Sequence, residues 1–175
     1  MKTALRSMLS IAIAASLTGG VFAQHAPATL TPAGFGPVRI GMTVEQVRSI
    51  IGKPRYGWGA ANSSDGCAVV IADRGVPGGF LMFQKKRLTR ISIQGSSIIK
   101  TARRVGLNAT EAQVRSAYGR TLQVTNADYD EPPAKLLTYW TVPGQRGLRF
   151  VTDKTRKVVE IRAGDSSIQL MEGCS

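Results

Sequence analysis

The sequence contains the same short pattern twice, and this repeat is the feature that most restricts how the chain can fold. Residues 43–52 and 110–119 align without a gap, and six of the ten positions are identical. Each copy begins with Thr followed three residues later by Gln, the spacing of a capping box at a helix N-terminus. Each copy ends in Gly, which favours the left-handed conformation that follows a helix. The repeat therefore predicts two equivalent short helices.

Three strand-like segments follow each predicted helix. They lie at 68–71, 80–84 and 88–93 after the first helix, and at 136–141, 148–152 and 158–162 after the second, with a further strand at 168–171. Apolar and polar residues alternate in several of them, which indicates one buried and one solvent-facing side. Helices of eight or nine residues are not stable alone, so they must pack on a sheet.

These elements define the predicted fold class. We predict an α+β protein in which tandem helix–strand–strand–strand units form a mostly antiparallel sheet with the helices on one face. The predicted divisions are a signal peptide at 1–23, a flexible lead at 24–35, a first unit at 36–96, and a second unit with a C-terminal tail at 97–175.

The N-terminal segment has the three parts of a secretory signal peptide. Lys2 and Arg6 precede an apolar run at 8–17, and small residues lead up to Ala23. The run is too short for the ~20 residues that a bilayer span needs. We therefore expect a periplasmic or secreted protein, with no transmembrane segment after cleavage.

Export determines how the two cysteines are interpreted. Cys67 and Cys174 lie far apart in the sequence, and in an oxidising compartment a pair of cysteines favours a disulfide. Such a bond would connect the C-terminal tail to the first unit. Two free thiols or an intermolecular link are the alternatives.

The beginning of the first unit resembles a known family. Arg39-Ile40-Gly41-Met42-Thr43, followed by Val47, Gly52 and Pro54, is similar to the opening of the SmpA/OmlA-type small lipoproteins of the outer-membrane barrel-assembly machine. The tandem plan also resembles the β-lactamase inhibitory protein, in which two such units form one curved sheet with helices on one side. This resemblance implies an alternative function, inhibition of an envelope or secreted hydrolase.

The residue types argue against catalysis. The sequence has one histidine, His25, and it lies in the predicted lead, so the folded region lacks a histidine base and most zinc sites. Asp128, Asp130 and Glu131 form an acidic cluster that could serve a carboxylate-based hydrolase. A solvated acidic loop is the simpler interpretation. We predict no catalytic residue, no metal and no cofactor.

Basic residues provide the main indication of a binding surface. The chain carries 23 Lys and Arg against 11 Asp and Glu, a net charge of +12. We predict anion binding by residues at two hairpin tips, namely Lys85, Lys86, Arg87 and Arg90 in the first unit and Lys154, Arg156 and Lys157 in the second. The tips are expected at corresponding edges of the sheet, where they could engage one extended surface. Alternatively, such charges keep sheet edges from associating.

The expected partner follows from export and charge. For an exported protein it is an anionic envelope component or an acidic protein rather than nucleic acid, and membrane contact would be peripheral. Tyr56 and Trp58, on a glycine-flanked segment, are candidate protein-binding residues, with core packing as the alternative. The predicted function is a soluble, exported, non-enzymatic binding protein of the bacterial cell envelope.

Overall fold

A computed structural model describes residues 28–61, 66–127, 131–171 and 173–174. The predicted signal peptide and His25 lie outside the described residues. Two mostly antiparallel sheets and a few short helices account for the regular structure of the described part, which confirms the α+β class.

The helices and strands are numbered along the chain. The strands are β1 (Leu30–Thr31), β2 (Gly34–Phe35), β3 (Val38–Arg39), β4 (Cys67–Ala72), β5 (Gly79–Gln84), β6 (Arg87–Gln94), β7 (Gln123–Asn126), β8 (Lys135–Val142), β9 (Arg146–Thr152) and β10 (Val158–Gly164). The helices are α1 (Val44–Ile51), α2 (Trp58–Ala61) and α3 (Glu111–Tyr118). Strands β1–β3 form a small sheet, and the others form a seven-stranded sheet in the order β4-β5-β6-β10-β9-β8-β7.

Helices α1 and α3 begin at the two predicted capping boxes. The Gln46 N–H donates to Thr43 Oγ1 at 3.3 Å, and the Thr43 N–H donates to Gln46 Oε1 at 2.9 Å. The same reciprocal pair joins Thr110 and Gln113, at 3.2 and 2.8 Å. Two backbone donors at each helix N-terminus are thereby satisfied by local side chains.

The helices pack on one face of the seven-stranded sheet, which we call the helix face. Val47 of α1 and Val114 of α3 belong to one buried apolar cluster with Ile91, Ile93 and Phe150 of the sheet. All five side chains are fully buried. This cluster is the main core of the protein.

The opposite side of the sheet, which we call the arginine face, is also buried, and it carries three charged side chains beside a small apolar cluster around Val151. Arg90 of β6, Arg149 of β9 and Arg162 of β10 are at most 8% exposed. Arg162 lies directly opposite Arg149 on one neighbouring strand and opposite Ser92 on the other. Ser92 is two residues after Arg90, so all of these residues share one face.

A C-terminal strap, residues 165–171, covers the arginine face. It contains a 3-10 turn, Ser166–Gln169, that packs on β6, β9 and β10. The strand predicted at 168–171 is therefore wrong. The Asp165 carboxylate accepts the Ser167 N–H at 2.8 Å and starts a turn there instead.

The chain continues from the strap to β4 at the edge of the sheet. Cys174 forms a disulfide with Cys67 of β4, with the two Cα atoms 5.1 Å apart. The predicted disulfide is therefore present. It fixes the end of the described chain across the arginine face.

Two parts of the sequence are more ordered than predicted. Residues 30–35, expected to be part of a flexible lead, form β1 and β2. Leu30 is fully buried, and its N–H donates to the Lys100 carbonyl at 2.9 Å. The edge strand β7 was not predicted either, because its residues are mostly exposed and show little apolar patterning.

Candidate functional site

The first predicted basic tip is the turn between β5 and β6. Lys85, Lys86 and Arg87 are all exposed. Lys85 and Lys86 have positive φ values of 50° and 60°, the pattern of a type I′ hairpin turn. The Arg87 guanidinium donates to the Gly41 carbonyl at 3.0 Å. The two lysine ammonium groups are therefore the most available charges of this tip.

The second predicted tip joins β9 to β10 and exposes Lys154, Arg156 and Lys157. Asp153 shapes this turn, because its Oδ1 accepts the Thr155 hydroxyl at 2.7 Å and the N–H groups of Thr155 and Lys157. The hydrogen bond from the Thr155 side chain, followed by that from the Lys157 backbone, lowers the pKa of the Asp153 carboxyl. The aspartate is therefore charged while it holds the turn.

Each tip is attached to the start of a helix. The Val44 N–H of α1 donates to the Lys86 carbonyl at 3.2 Å, and the Glu111 N–H of α3 donates to the Arg156 carbonyl at 2.9 Å. Val44 and Glu111 each directly follow an N-cap threonine. The contact holds both tips in place.

The tips lie at opposite ends of the sheet, so the expectation of corresponding edges is wrong. Strands β6 and β10 are antiparallel neighbours, with Arg90 opposite Gly164 and Gln94 opposite Glu160. One tip precedes the start of β6 and the other precedes the start of β10. At the rise of an extended strand, the separation is roughly 30 Å. A compact patch on a ligand therefore cannot contact both tips.

Arg90 does not belong to the exposed basic surface that the sequence predicts. It is 6% exposed and lies on the arginine face, where it donates to carbonyls of the C-terminal strap. The alternation of apolar and polar residues in β6 correctly predicted that Arg90 faces away from the main core. That side is covered by protein rather than water.

Of the two aromatic candidates, Trp58 is mainly packed against the protein and Tyr56 is exposed. Trp58 is anchored, because its Nε1–H donates to the Gly52 carbonyl at 3.1 Å and its ring lies 6.1 Å from that of Phe83. The Arg48 guanidinium lies 5.0 Å from the Trp58 ring centre. Tyr56 is 72% exposed, so it alone of the pair presents its side chain to a partner.

The acidic cluster is described only at Glu131, since Asp128 and Asp130 lie outside the described residues. Glu131 forms an exposed ion pair with Lys154 at 3.1 Å. In the described ranges, no three His, Cys, Asp or Glu side chains are grouped so that they could hold a metal ion. None of the helices there has both the length and the hydropathy that a membrane crossing requires.

The linker between the two halves of the sheet forms a groove that sequence reasoning missed. This linker groove has a volume of about 610 Å³. Its apolar lining comes from Phe35, Pro77, Ile98 and Ile99, and Lys100 and Arg104 also line it. Ile98 is 91% exposed. Two adjacent isoleucines in an otherwise polar linker were the sequence signal that could have indicated it.

The turn 101–105 holds the basic side of the groove. The Arg104 N–H donates to the Thr101 carbonyl at 2.8 Å, and the Val105 N–H donates to Thr101 Oγ1 at 3.2 Å. Arg104 has a φ of 63°, in the left-handed region that non-glycine residues seldom occupy. The hydrogen bonds hold Arg104 in this conformation, next to Lys100.

The neighbouring Arg103 has a different, structural role. Its guanidinium lies 4.7 Å from the Tyr118 ring centre and 5.1 Å from that of Tyr139. It also donates to the Ala117 carbonyl at 2.6 Å. Arg103 thereby fixes the end of α3 and leaves Lys100 and Arg104 as the charges available to a ligand.

Comparison with known proteins gives only distant similarity. No protein-family profile matches the chain, and no curated protein matches its sequence. One similar solved structure is an extracellular protein containing an SCP domain from Bacillus anthracis, at 13% identity, with a TM-score of 0.43 over 72% of this chain and 44% of that one. Another is a cysteine-rich secretory protein from Staphylococcus aureus, at 10% identity, with a TM-score of 0.43 over 74% and 45%. The chain thus spans less than half the length of either protein.

The predicted resemblance to SmpA/OmlA-type lipoproteins and to the β-lactamase inhibitory protein is wrong. No family profile supports it, and the matched structures are SCP-domain and cysteine-rich secretory proteins instead. The motif that suggested it has a local role. Gly41 donates its N–H to the Leu88 carbonyl at 2.7 Å, and Thr43 caps α1. Such a helix start can occur in unrelated proteins.

Proposed function

We propose that this chain is an exported, non-enzymatic protein of the bacterial cell envelope that binds an anionic lipid in the linker groove. The observation that carries the proposal is the exposed Ile98 in an apolar groove also lined by Lys100 and Arg104. The predicted signal peptide and the disulfide support export into the periplasm or the medium.

The groove combines the two properties that a lipid requires. Phe35, Ile98 and Ile99 offer apolar surface for an acyl chain, and the groove volume lies within the usual range for small-molecule sites. Lys100 and Arg104 offer charge to an acidic headgroup. Each basic residue near an anionic lipid surface contributes about 1 kcal/mol.

The two basic tips have an auxiliary role in this proposal. Lys85 and Lys86 at one end and Lys154 and Lys157 at the other raise the positive potential around the protein, which speeds the approach to an anionic surface. Because they lie at opposite ends of the sheet, each tip contacts a surface independently.

We also propose that the two halves of the sheet are copies of one duplicated unit. Both contain a helix with a capping box and a basic tip that accepts the first helical N–H. Strands β6 and β10 occupy equivalent places and pair antiparallel at the centre. These correspondences support the repeat found in the sequence.

Vesicle co-sedimentation tests the proposed lipid site. The protein should bind phosphatidylglycerol vesicles more tightly than phosphatidylcholine vesicles, and added salt should weaken binding because exposed charges are screened. Ile98→Ser should lower the affinity for these vesicles severalfold both with and without added salt. Lys100→Gln combined with Arg104→Asn should lower it at low salt. Asn is chosen because it tolerates positive φ.

A matched control separates the groove from general surface effects. Val142→Ser removes another exposed apolar side chain, 41% exposed on β8, and should leave binding unchanged. Equal losses in Ile98→Ser and Val142→Ser, or no binding by the parent protein, would contradict the groove proposal. If Lys85→Asn with Lys86→Asn, at two further positions of positive φ, abolishes binding while Ile98→Ser does not, the tips are the lipid contact.

A further inference from the structure

The guanidinium groups of the arginine face converge on the C-terminal strap. Arg90 Nη1 donates to the Leu170 carbonyl at 3.0 Å and to the Ser167 carbonyl at 3.1 Å. Arg162 Nη1 donates to the same Leu170 carbonyl at 2.7 Å. Two cationic groups therefore share one neutral oxygen.

Four buried polar atoms of the arginine face and its strap have no hydrogen-bond partner among the described residues. They are Arg90 Nε, Arg162 Nε, Ser92 Oγ and Ser167 Oγ. The two arginines are 6% exposed and the two serines 3%. Buried polar groups are nearly always paired, so a cluster of four indicates a bound species that the protein atoms do not supply.

The four residues lie close together by the register of the sheet. Ser92 is directly opposite Arg162 and is two residues after Arg90 on the same face. Arg90 also holds the Ser167 carbonyl. The two Nε–H groups can only donate and the two hydroxyls can donate as well, so one acceptor can pair with all four atoms.

The charge of the cluster indicates that this acceptor is negative. Arg90, Arg149 and Arg162 carry three positive charges, and the acid hydrogen-bonded to them among the described residues is Glu160, at 2.8 Å from Arg162. Burial, together with Arg162, lowers the pKa of Arg90 to about 10. A buried water molecule could pair the four atoms but would leave the excess charge uncompensated.

We propose that a small inorganic anion of the chloride type is bound beneath the C-terminal strap, between Arg90 and Arg162, with Ser92 and Ser167 as hydroxyl ligands. Its charge offsets the excess of guanidinium groups. It links the sheet to the strap, so the anion and the disulfide hold the same segment in place.

Thermal unfolding with different anions tests this site. The melting temperature should be higher in potassium chloride or bromide than in potassium gluconate at equal ionic strength, because gluconate is a much larger anion than a halide. At a hundredfold excess over the dissociation constant, the rise should be about 5–10 °C. Crystals grown in bromide should show an anomalous peak between Arg90 and Arg162. A peak elsewhere, or equal melting in all three salts, would overturn the proposal.

Three variants make the test specific. Ser92→Ala removes one hydroxyl ligand without adding volume and should reduce the halide effect, whereas Ser116→Ala at an exposed serine of α3 should retain it. Glu172 lies outside the described residues and is an acid of this chain that follows the strap in sequence. If the parent shows no halide effect and Glu172→Gln acquires one, the chain supplies its own carboxylate and the proposal of a free anion is wrong. A halide effect in the parent that Ser92→Ala diminishes and Ser116→Ala does not confirms it.

Discussion

The two faces of the seven-stranded sheet are both buried but are stabilised by different chemistry. On the helix face, side chains such as Ile91 and Phe150 pack with two amphipathic helices. On the arginine face, Arg90 and Arg162 donate hydrogen bonds to the backbone of a strap that contains a single 3-10 turn. Since successive residues of a strand point to opposite faces, β6 and β10 contribute to both environments.

This difference shows that burial alone does not determine how a sheet face is stabilised. The helix face gains from removing apolar surface from water, roughly 25 cal/mol per Å². The arginine face gains little in this way, because its buried charges must first be desolvated. Its cover therefore depends on specific hydrogen bonds and on the disulfide.

Adjacent residues of β9 provide the sharpest test of this comparison. Phe150→Ala on the helix face should destabilise the protein by about 3–5 kcal/mol, because the Phe150 ring is fully buried and lies 5.0 Å from that of Tyr118. Val151→Ala, one residue later on the arginine face, should cost about 1–2 kcal/mol. Urea unfolding of both variants measures the difference. Because Phe loses more side chain than Val, Val114→Ala is the size-matched variant on the helix face; a loss equal to that of Val151→Ala would mean that the two faces are packed alike.

Removing the disulfide should have the next largest effect, and it acts on the arginine face. Cys67 and Cys174 close a loop with a sequence separation of 107. Cys67→Ser combined with Cys174→Ser should lower the free energy of unfolding by about 2–4 kcal/mol.

Hydrogen exchange locates the effect of that double variant. Amide exchange should rise first in the strap, at 166–171, while the amides of α1 and α3 stay protected in the native state. If the helices lose protection as early as the strap, the disulfide supports the whole fold rather than one face.

The smallest expected effect on stability comes from alkaline pH, through the buried hydroxyl of Tyr118 on the helix face. Burial raises the pKa of the Tyr118 hydroxyl, and the nearby Thr101 side chain and Arg103 guanidinium offset only part of the rise. The unfolded chain ionises this tyrosine near pH 10, whereas the folded chain holds the proton to higher pH. Stability from this group is therefore complete below about pH 10 and is lost as pH rises above it.

Tyr118→Phe isolates this contribution. The variant should cost little at pH 7, because the ring keeps its packing with Tyr139 and Phe150, and it should lose less stability than the parent between pH 10 and 11. The measurement is urea unfolding at each pH. A parallel decline of the two proteins would mean that Tyr118 does not contribute to the alkaline loss.

Local patterns predicted helices α1 and α3 and the strands β4–β6 and β8–β10, because their causes lie within a few residues; helix α2 was not predicted. Thr43 and Gln46 satisfy each other's backbone wherever the helix packs, and the alternation in β6 follows from strand geometry. The same alternation could not show what covers Arg90, because a polar sheet face has the same sequence pattern whether solvent or another segment of the chain covers it. Nor could it predict that a turn at Ser166–Gln169 stands where a strand was expected at 168–171.

The predicted binding surface was wrong where it depended on contacts between residues that are far apart in the sequence. That the basic tips lie at opposite ends follows from the antiparallel pairing of β6 with β10, which neither segment encodes alone. The linker groove combines Phe35, Pro77 and Ile98 from distant parts of the chain. Their proximity depends on the packing of the small sheet against the linker.

The central pairing of β6 with β10 has a consequence for the integrity of the chain. The exposed linker around Ile98 joins the two halves in sequence, but the backbone ladder from Arg90–Gly164 to Gln94–Glu160 joins them in space. The disulfide also connects a residue before the linker to one after it. Proteolytic cleavage in the linker would therefore leave two fragments in one particle, covalently attached until the disulfide is reduced.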